Sequence, residues 1–402
     1  MQRLPRQSGP LVVIRFYVKA REPLTPTGQP FTIRETIASD ATMKKVLLAL
    51  ILAALAYLLL WPVPIDPVAW EAPDAPALEG PYAVNDRLTE VEWLARGVGT
   101  GPEEVIVGPD GRIYTGYQDG RVVSLAADGS DPQLLADTGG RPFGLVFDND
   151  GNLIVADGYR GLLQISMAGE INVLATEADG VPFRFTNNAD VASDGSIYFS
   201  DASSKFGPAM RARDDVIEHG GNGRLMRYVP DTGEVEVLLD GLQFANGVAL
   251  APDESFVLVA ETGRYTLVRY WLSGEQAGSH DLFYENLPGL PDNIASNGRD
   301  TIWVALFAPR NALLDAMSGS PFMRKVAFRL PELLQPQPAA HAFVLGLSLD
   351  GEVTHNLQHK GRDSFHPITG AVEANGKLYL GSLERDAFAV FNLENVLENE
   401  DD

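Results

Sequence analysis

The chain contains no cysteine. That excludes disulfides, thiolate nucleophiles and Cys-type zinc sites, and it leaves the redox compartment open. Other chemistries are missing too. No Gly-x-Ser-x-Gly elbow occurs, and neither a His-Glu-x-x-His zinc helix nor a Gly-x-x-x-x-Gly-Lys phosphate loop. Gly370 to Gly376-Lys377 is one residue too long for the last of these and runs on into Leu378. Basic charge is short as well, with 31 Lys and Arg against 54 Asp and Glu, a net of −23. Residues 1–45 hold eight basic and three acidic residues, a net of +5, so the remainder carries −28. A body this acidic repels phosphate backbones and excludes nucleic acid as a partner. It favours divalent cations, although a solvated acidic surface accounts for the same charge.

Charge is absent altogether from Val46 to Ile65. As a helix, those 20 residues cross roughly 30 Å of hydrocarbon. Lys44-Lys45 precedes them and acidic residues follow, which predicts a cytoplasmic N-terminus and an extracytoplasmic body, periplasmic or lumenal. Ala54-Leu55-Ala56 resembles a signal-peptidase site. Tyr57 to Trp61 continues the apolar run past it, so an uncleaved anchor is the preferred reading. Residues 1–45 are expected to be a disordered cytoplasmic tail or an upstream extension, and 66–99 a linker.

From residue 100 the chain repeats. Turn residues Asp110, Asp150, Asp194, Asp253, Asn297 and Asn375 each precede an apolar strand, a second turn and another strand. Their spacing, 40, 44, 59, 44 and 78 residues, predicts one four-stranded blade per step. The fold class is therefore all-β, a six-bladed propeller over 100–395. An N-terminal transmembrane helix precedes it, and a helical insertion, 307–340, lies before the last blade. An acidic tail, 396–402, follows. The insertion's apolar residues read as a capping helix on the rim, or as a lid or membrane-facing patch over the mouth.

Four short stretches carry the candidate chemistry: Gly-Pro-Glu103-Glu104, Phe185-Thr-Asn187-Asn188, Phe244-Ala-Asn246-Gly247 and Leu290-Pro-Asp292-Asn293. One Glu, two Asn and one Asp brought together make an all-oxygen site with two formal charges, which suits Ca²⁺. Taken singly, Asn and Asp here also read as turn residues. Asp148-Asn-Asp150-Gly opens like a calcium loop, but Tyr159 stands where a bidentate Glu is required, so it reads as a turn. Asp157 and Asp201 end apolar strands. Turn or blade-to-blade hydrogen bonding explains both, and Asp201, after the blade carrying Asn187, is the better candidate to support the site. His366, before the last blade, is a structural histidine or a general base at the channel mouth. His219 reads as loop.

Gly140-Arg-Pro-Phe-Gly144, Val155-Ala-Asp157-Gly-Tyr-Arg-Gly161, Tyr198-Phe-Ser-Asp201, Phe244-Ala-Asn246-Gly247, Pro288-Gly-Leu-Pro-Asp292-Asn293 and Leu378-Tyr-Leu-Gly-Ser382 together give the chain a family likeness. It resembles the strictosidine-synthase-like branch of the six-bladed calcium propellers, especially the adipocyte plasma-membrane-associated type. Paraoxonases and the gluconolactonase/regucalcin group are more distant. The resemblance implies one Ca²⁺ in the central tunnel, held by Glu103, Asn187, Asn246 and Asp292, with Asn293 a fifth ligand on the paraoxonase pattern. Asn188 stands where relatives usually carry Asp. Thr369 stands where strictosidine synthase carries its Glu base, which weakens amine–aldehyde condensation, and Phe143 where paraoxonases carry a catalytic His. The reading is a membrane-anchored calcium-dependent hydrolase of small-molecule esters or lactones, with Asp292, His366 and Asp201 as candidate catalytic groups. A non-catalytic, calcium-stabilised binding scaffold is the alternative of another class.

Overall fold

The computed structural model describes residues 40–208 and 212–394, so residues 1–39 of the expected tail 1–45, and the whole acidic tail 396–402, lie outside the described residues. Two compact units divide the chain at Leu55–Ala56. The first holds most of helix α1, Asp40–Leu60. Its stretch Thr42–Leu60 is long and apolar enough to cross a membrane by length and composition. The uncharged run continues to Ile65, but the helix stops at Leu60. Pro62 and Pro64 remove backbone donors and disfavour helical geometry in the residues before them. Helix and uncharged run therefore differ in register by about five residues.

The second unit is the propeller. Six sheets of four antiparallel strands are present. Their innermost strands are Val105–Val107, Pro142–Phe147, Thr186–Val191, Ala245–Leu250, Gly289–Ser296 and Gly370–Ala374. The six expected turns all fall between the first and second strands of a blade. In three of them the Asp carboxylate caps the second following backbone N–H: Asp110 to Arg112, Asp194 to Ser196 and Asp253 to Ser255, the local chemistry that favours Asp in turns. Second strands such as Phe256–Glu261 are buried along their whole length, because sheets pack on both faces, and they read as continuous apolar runs.

The sixth blade is composite. Its outer strand, Glu92–Leu94, pairs with Phe388–Asn392 from the other end of the chain. This joins the two ends of the repeat and removes the open edges of the ring. Two blades carry insertions between their second and third strands. Blade 3 holds residues 202–222, with α2, Ala212–Glu218. Blade 5 holds residues 310–340, with α3, Ala312–Ala316, and α4, Pro321–Phe328. The blade 5 strand runs on to Pro309, so the insertion starts three residues later than its composition suggests. In an up-and-down blade the second-to-third connections lie on the face where the first strands begin. Both insertions therefore stand on the face onto which the inner-strand starts open.

Candidate functional site: an oxygen-lined tunnel

A closed circuit of contacts runs around the axis through all six blades. Thr369 Oγ1 donates to Glu103 O at 2.9 Å, and Asn293 N to Thr369 O at 2.9 Å. The circuit continues from blade 5 to blade 4 at Gly247, where a Cβ would come within 2.6 Å of Asn293 Cα. Val248 N donates to Asn188 Oδ1 at 2.9 Å. Asn188 Nδ2 donates to both Glu104 oxygens, at 3.2 and 3.1 Å, and Leu145 N to Glu104 Oε2 at 2.7 Å. Only Gly permits this approach at 247, and at 381 a Cβ would overlap the Glu103 carbonyl. Small residues thus draw the inner strands together and set their polar side chains around one axis.

Within this circuit several buried oxygens have no partner. They are Glu103 Oε2, Asn187 Oδ1, Asn246 Oδ1 and Asn293 Oδ1, and the Asn293 Nδ2 is likewise without a partner. Native interiors leave few such groups, and these four oxygens, in or just before the inner strands of blades 1, 3, 4 and 5, have unmet hydrogen-bond demand. Asn246 is oriented for this: its Nδ2 donates to Thr262 Oγ1 at 3.1 Å, and Thr262 in turn donates to Pro291 O at 2.6 Å. Among the described residues no three His, Cys, Asp or Glu side chains converge. An ion here would rest on amide oxygens as much as on carboxylates.

The electrostatics agree. Burial, reinforced by Asp292, pushes Glu103 well above the usual carboxylate range against the pull of Arg141. Asp292 is pushed up by burial to about 7, opposed by its hydrogen bond from Asn246. Two carboxylates in one desolvated place cannot both carry charge cheaply without a cation. Arg141, buried, has Nη2 4.0 Å from Glu103 Oε2 and lies over Phe143. Phe143, Phe185 and Phe244 pack tilted and edge-on, with centroids 5.1 and 5.3 Å apart. These rings come from the starts of the inner strands of blades 2, 3 and 4 and form one buried apolar cluster.

Glu103, Asn187, Asn246, Asp292 and Asn293 all lie in or just before inner strands, those of blades 1, 3, 4 and 5. The structure places the other two candidates differently. Asp201 Oδ1 accepts from Phe185 N at 2.8 Å and Arg184 N at 3.1 Å, and Oδ2 accepts from Arg224 Nη2 at 2.7 Å. Fully buried, with both oxygens accepting hydrogen bonds, it fastens the start of the blade 3 inner strand, and burial raises its pKa against the pull of Arg224. His366 Nδ1 lies against Ser364 Oγ at 2.9 Å, and Arg385 Nη2 approaches both ring nitrogens at 3.2 and 3.3 Å. Burial and Arg385 lower its pKa, so it is neutral at pH 7 and held by an arginine. Sequence reasoning missed Glu104. It is buried, and desolvation takes it to about 7 against hydrogen bonds from Leu145 and Asn188. Asn188, which departs from the family pattern, is the amide that bridges Glu104 to blade 4. Thr369 is fully buried and its hydroxyl is committed to a carbonyl.

Comparison with known proteins follows the same lines. The strictosidine synthase profile matches residues 187–275, and the strictosidine synthase-like N-terminal profile matches residues 80–125. The adipocyte plasma membrane-associated protein of Rattus norvegicus is 34% identical over 373 residues, covering 87% of this chain and 98% of the relative. Strictosidine synthase-like protein 10 of Arabidopsis thaliana is 36% identical, over 73% of this chain and 86% of its own. Among solved structures, a gluconolactonase from Xanthomonas campestris superposes with a TM-score of 0.55 at 18% identity, covering 82% of this chain and 98% of its own. A calcium-binding regucalcin from Agrobacterium tumefaciens gives 0.51 at 12%, covering 74% and 93%. At those identities the structures share the fold alone. The sequence relatives, matched over nearly their full length, decide the family: the chain belongs to the strictosidine-synthase-like family, alongside the adipocyte plasma membrane-associated proteins.

Proposed function

We propose that the protein is a membrane-anchored, calcium-dependent hydrolase of small esters or lactones. The observation that carries this reading is the set of unpartnered oxygens on the tunnel axis, Glu103 Oε2, Asn187 Oδ1, Asn246 Oδ1 and Asn293 Oδ1, with Asp292 beside them. Two carboxylates and three amides are a hard, all-oxygen donor set, the kind that Ca²⁺ takes and softer metals do not. Glu103, Asn187, Asn246, Asp292 and Asn293 would hold one ion. When bound, the ion would polarise a substrate carbonyl and lower the pKa of water.

The chain's own residues supply the rest. Asp292, or an acid near it, would accept the proton of the attacking water. The Phe143, Phe185 and Phe244 rings exclude water on one side and offer a place for the hydrocarbon part of an ester. The Thr369 hydroxyl is no base near neutral pH, so condensation of an amine with an aldehyde is not expected. The gluconolactonase and calcium-binding regucalcin among the structural neighbours are in keeping with the substrate class and the ion.

A panel of aryl esters and lactones tests the reading. Turnover should vanish with chelator and return with Ca²⁺, while amine–aldehyde condensation stays undetectable. No turnover across the panel, with the ion verified as bound by calorimetry, would favour a calcium-stabilised scaffold and end the hydrolase reading. Helix α1 would span the bilayer with its N-terminus cytoplasmic and residues 66–402 on the far side. Protease added outside sealed, right-side-out vesicles should digest the body; full protection would reverse the topology.

A further inference from the structure

Exposed apolar side chains gather on the blade 5 insertion. Leu313, Phe322, Met323, Leu333 and Leu334 are all exposed, Leu333 at 92%. The large hydrophobics exposed on and between the blades, Leu134, Tyr159, Met167, Val173, Val181 and Leu282, reach at most 62%. Five within about twenty residues mark a surface that something covers.

What covers it follows from where the insertion is fastened. Arg329, just after α4, donates from Nε to Trp61 O at 2.5 Å and from Nη1 to Leu58 O at 2.9 Å. These are carbonyls at the C-terminal end of α1, of the kind a helix cannot satisfy itself. Arg324, buried in α4, donates to Val68 O, Ile217 O and Ser318 O, and Lys325 pairs with Asp66 at 2.9 Å. The insertion therefore grips residues 58–68, the stretch that leaves the apolar span. Leu60 and Trp61, in that stretch, are exposed as well. Arg324 also ties in the blade 3 insertion, on the same face as the tunnel mouth.

We infer that the blade 5 insertion is a bilayer-docking surface, that the tunnel mouth it borders faces the membrane, and that the substrate is an ester or lactone dissolved in lipid. The first two statements stand on the fastening of the insertion to the end of the span. The third rests on the hydrolase reading. With −28 on the chain beyond residue 45, anionic headgroups are a poor match. The contact is apolar, of the kind interfacial Leu and Phe side chains make with the acyl boundary.

The absence of cysteine makes the test direct. Full-length chains carrying Leu333→Cys or Met323→Cys, labelled with an environment-sensitive fluorophore, are reconstituted at high dilution into phosphatidylcholine vesicles containing headgroup-proximal nitroxide lipid. Both probes should be quenched, whereas Leu134→Cys on the outer strand of blade 1 should not. Equal quenching at Leu333 and Leu134 overturns the docking surface. So does a blue-shifted but unquenched probe, the mark of cover by a second copy or another protein. For the substrate, the combined variant Phe322→Asp, Leu333→Asp, Leu334→Asp should lower the ratio of turnover on vesicle-dissolved ester to turnover on water-soluble ester by about tenfold. An unchanged ratio overturns the lipid-substrate statement. Absence of turnover on either ester by the unmodified chain sinks the hydrolase reading and, with it, only that third statement.

Discussion

Two sets of buried carboxylates in this propeller look alike by residue type and burial, yet the structure uses them in opposite ways. Asp157, Asp201 and Glu261 end the second strands of blades 2, 3 and 4. Each accepts the backbone N–H at the start of the neighbouring inner strand, from Arg141, Phe185 and Gln243 respectively, at 2.8–3.0 Å. The second oxygen of each takes a side-chain donor, from Thr138, Arg224 or Thr266. Glu103 and Asp292, at the starts of inner strands in blades 1 and 5, are as well buried. Glu103 Oε2 nevertheless has no partner, and Asp292 is held near a pKa of 7. Burial alone does not distinguish a structural acid from a functional one. Hydrogen-bond demand that the protein leaves unmet does.

The largest effect that could break this contrast is Asp201→Ala. It strands Arg224 as an unpaired buried charge and should cost about 3–5 kcal/mol in denaturant unfolding. Asp292→Asn, measured the same way without calcium, should cost little, because it removes a carboxylate whose charge is already disfavoured. A loss above about 2 kcal/mol there would erase the distinction, since that approaches the cost of breaking a satisfied pair.

Calcium affinity sharpens the contrast from the other side. By calorimetry, Asp292→Ala should weaken binding by on the order of a hundredfold or more, while Glu104→Gln, which touches the circuit but offers no free oxygen, should cost about tenfold. Equal losses would place Glu104 among the ligands.

The dependence of stability on pH is the next test. Asp292 and Glu104 are raised to about 7, and Asp190 and Asp215 to about 6, all by burial. A carboxylate with a raised folded-state pKa contributes stability that is full below its unfolded pKa, near 4, and lost as pH climbs through the folded value. The metal-free protein should therefore melt lower at pH 8 than at pH 5. Calcium should reverse this at pH 8, and its affinity should fall by up to about tenfold per pH unit below 7 for each proton displaced. A metal-free melting temperature that rises with pH would contradict the assignment. The smallest effect is Asn188→Asp. It sets a second carboxylate against Glu104 and should lower metal-free stability by about 1 kcal/mol at pH 8, read from the denaturation midpoint.

Much of this was legible in the sequence because it depends on local chemistry. The Asp-Gly and Asn-Gly pairs mark first-to-second-strand turns by side-chain capping, and their count gave six blades. Glu103, Asn187, Asn246 and Asp292 stand out by their Gly, Pro and Phe neighbours at the inner-strand starts, and Asn293 by the family resemblance. What was hidden depends on partners distant in the chain. Asp201 ends an apolar strand as a ligand support might, and only Arg224 reveals its commitment. Glu104 has no role of its own in the sequence until Asn188 and Leu145 are placed against it. The blade 3 insertion was visible only as the long 59-residue step. Strand Glu92–Leu94 is too short, at three residues, to signal itself.

That short strand has a consequence in time. Leu94 pairs with Phe388, nearly three hundred positions later. At about 5–20 residues per second, the ribosome needs roughly 15–60 seconds between making the two. Through that interval the outer strand of the sixth blade has no sheet to join, and the circuit through Glu103 and Asn293 waits for Thr369. Closure of the ring is therefore among the last events in the making of the molecule, and a nascent chain stalled before residue 369 is an open arc.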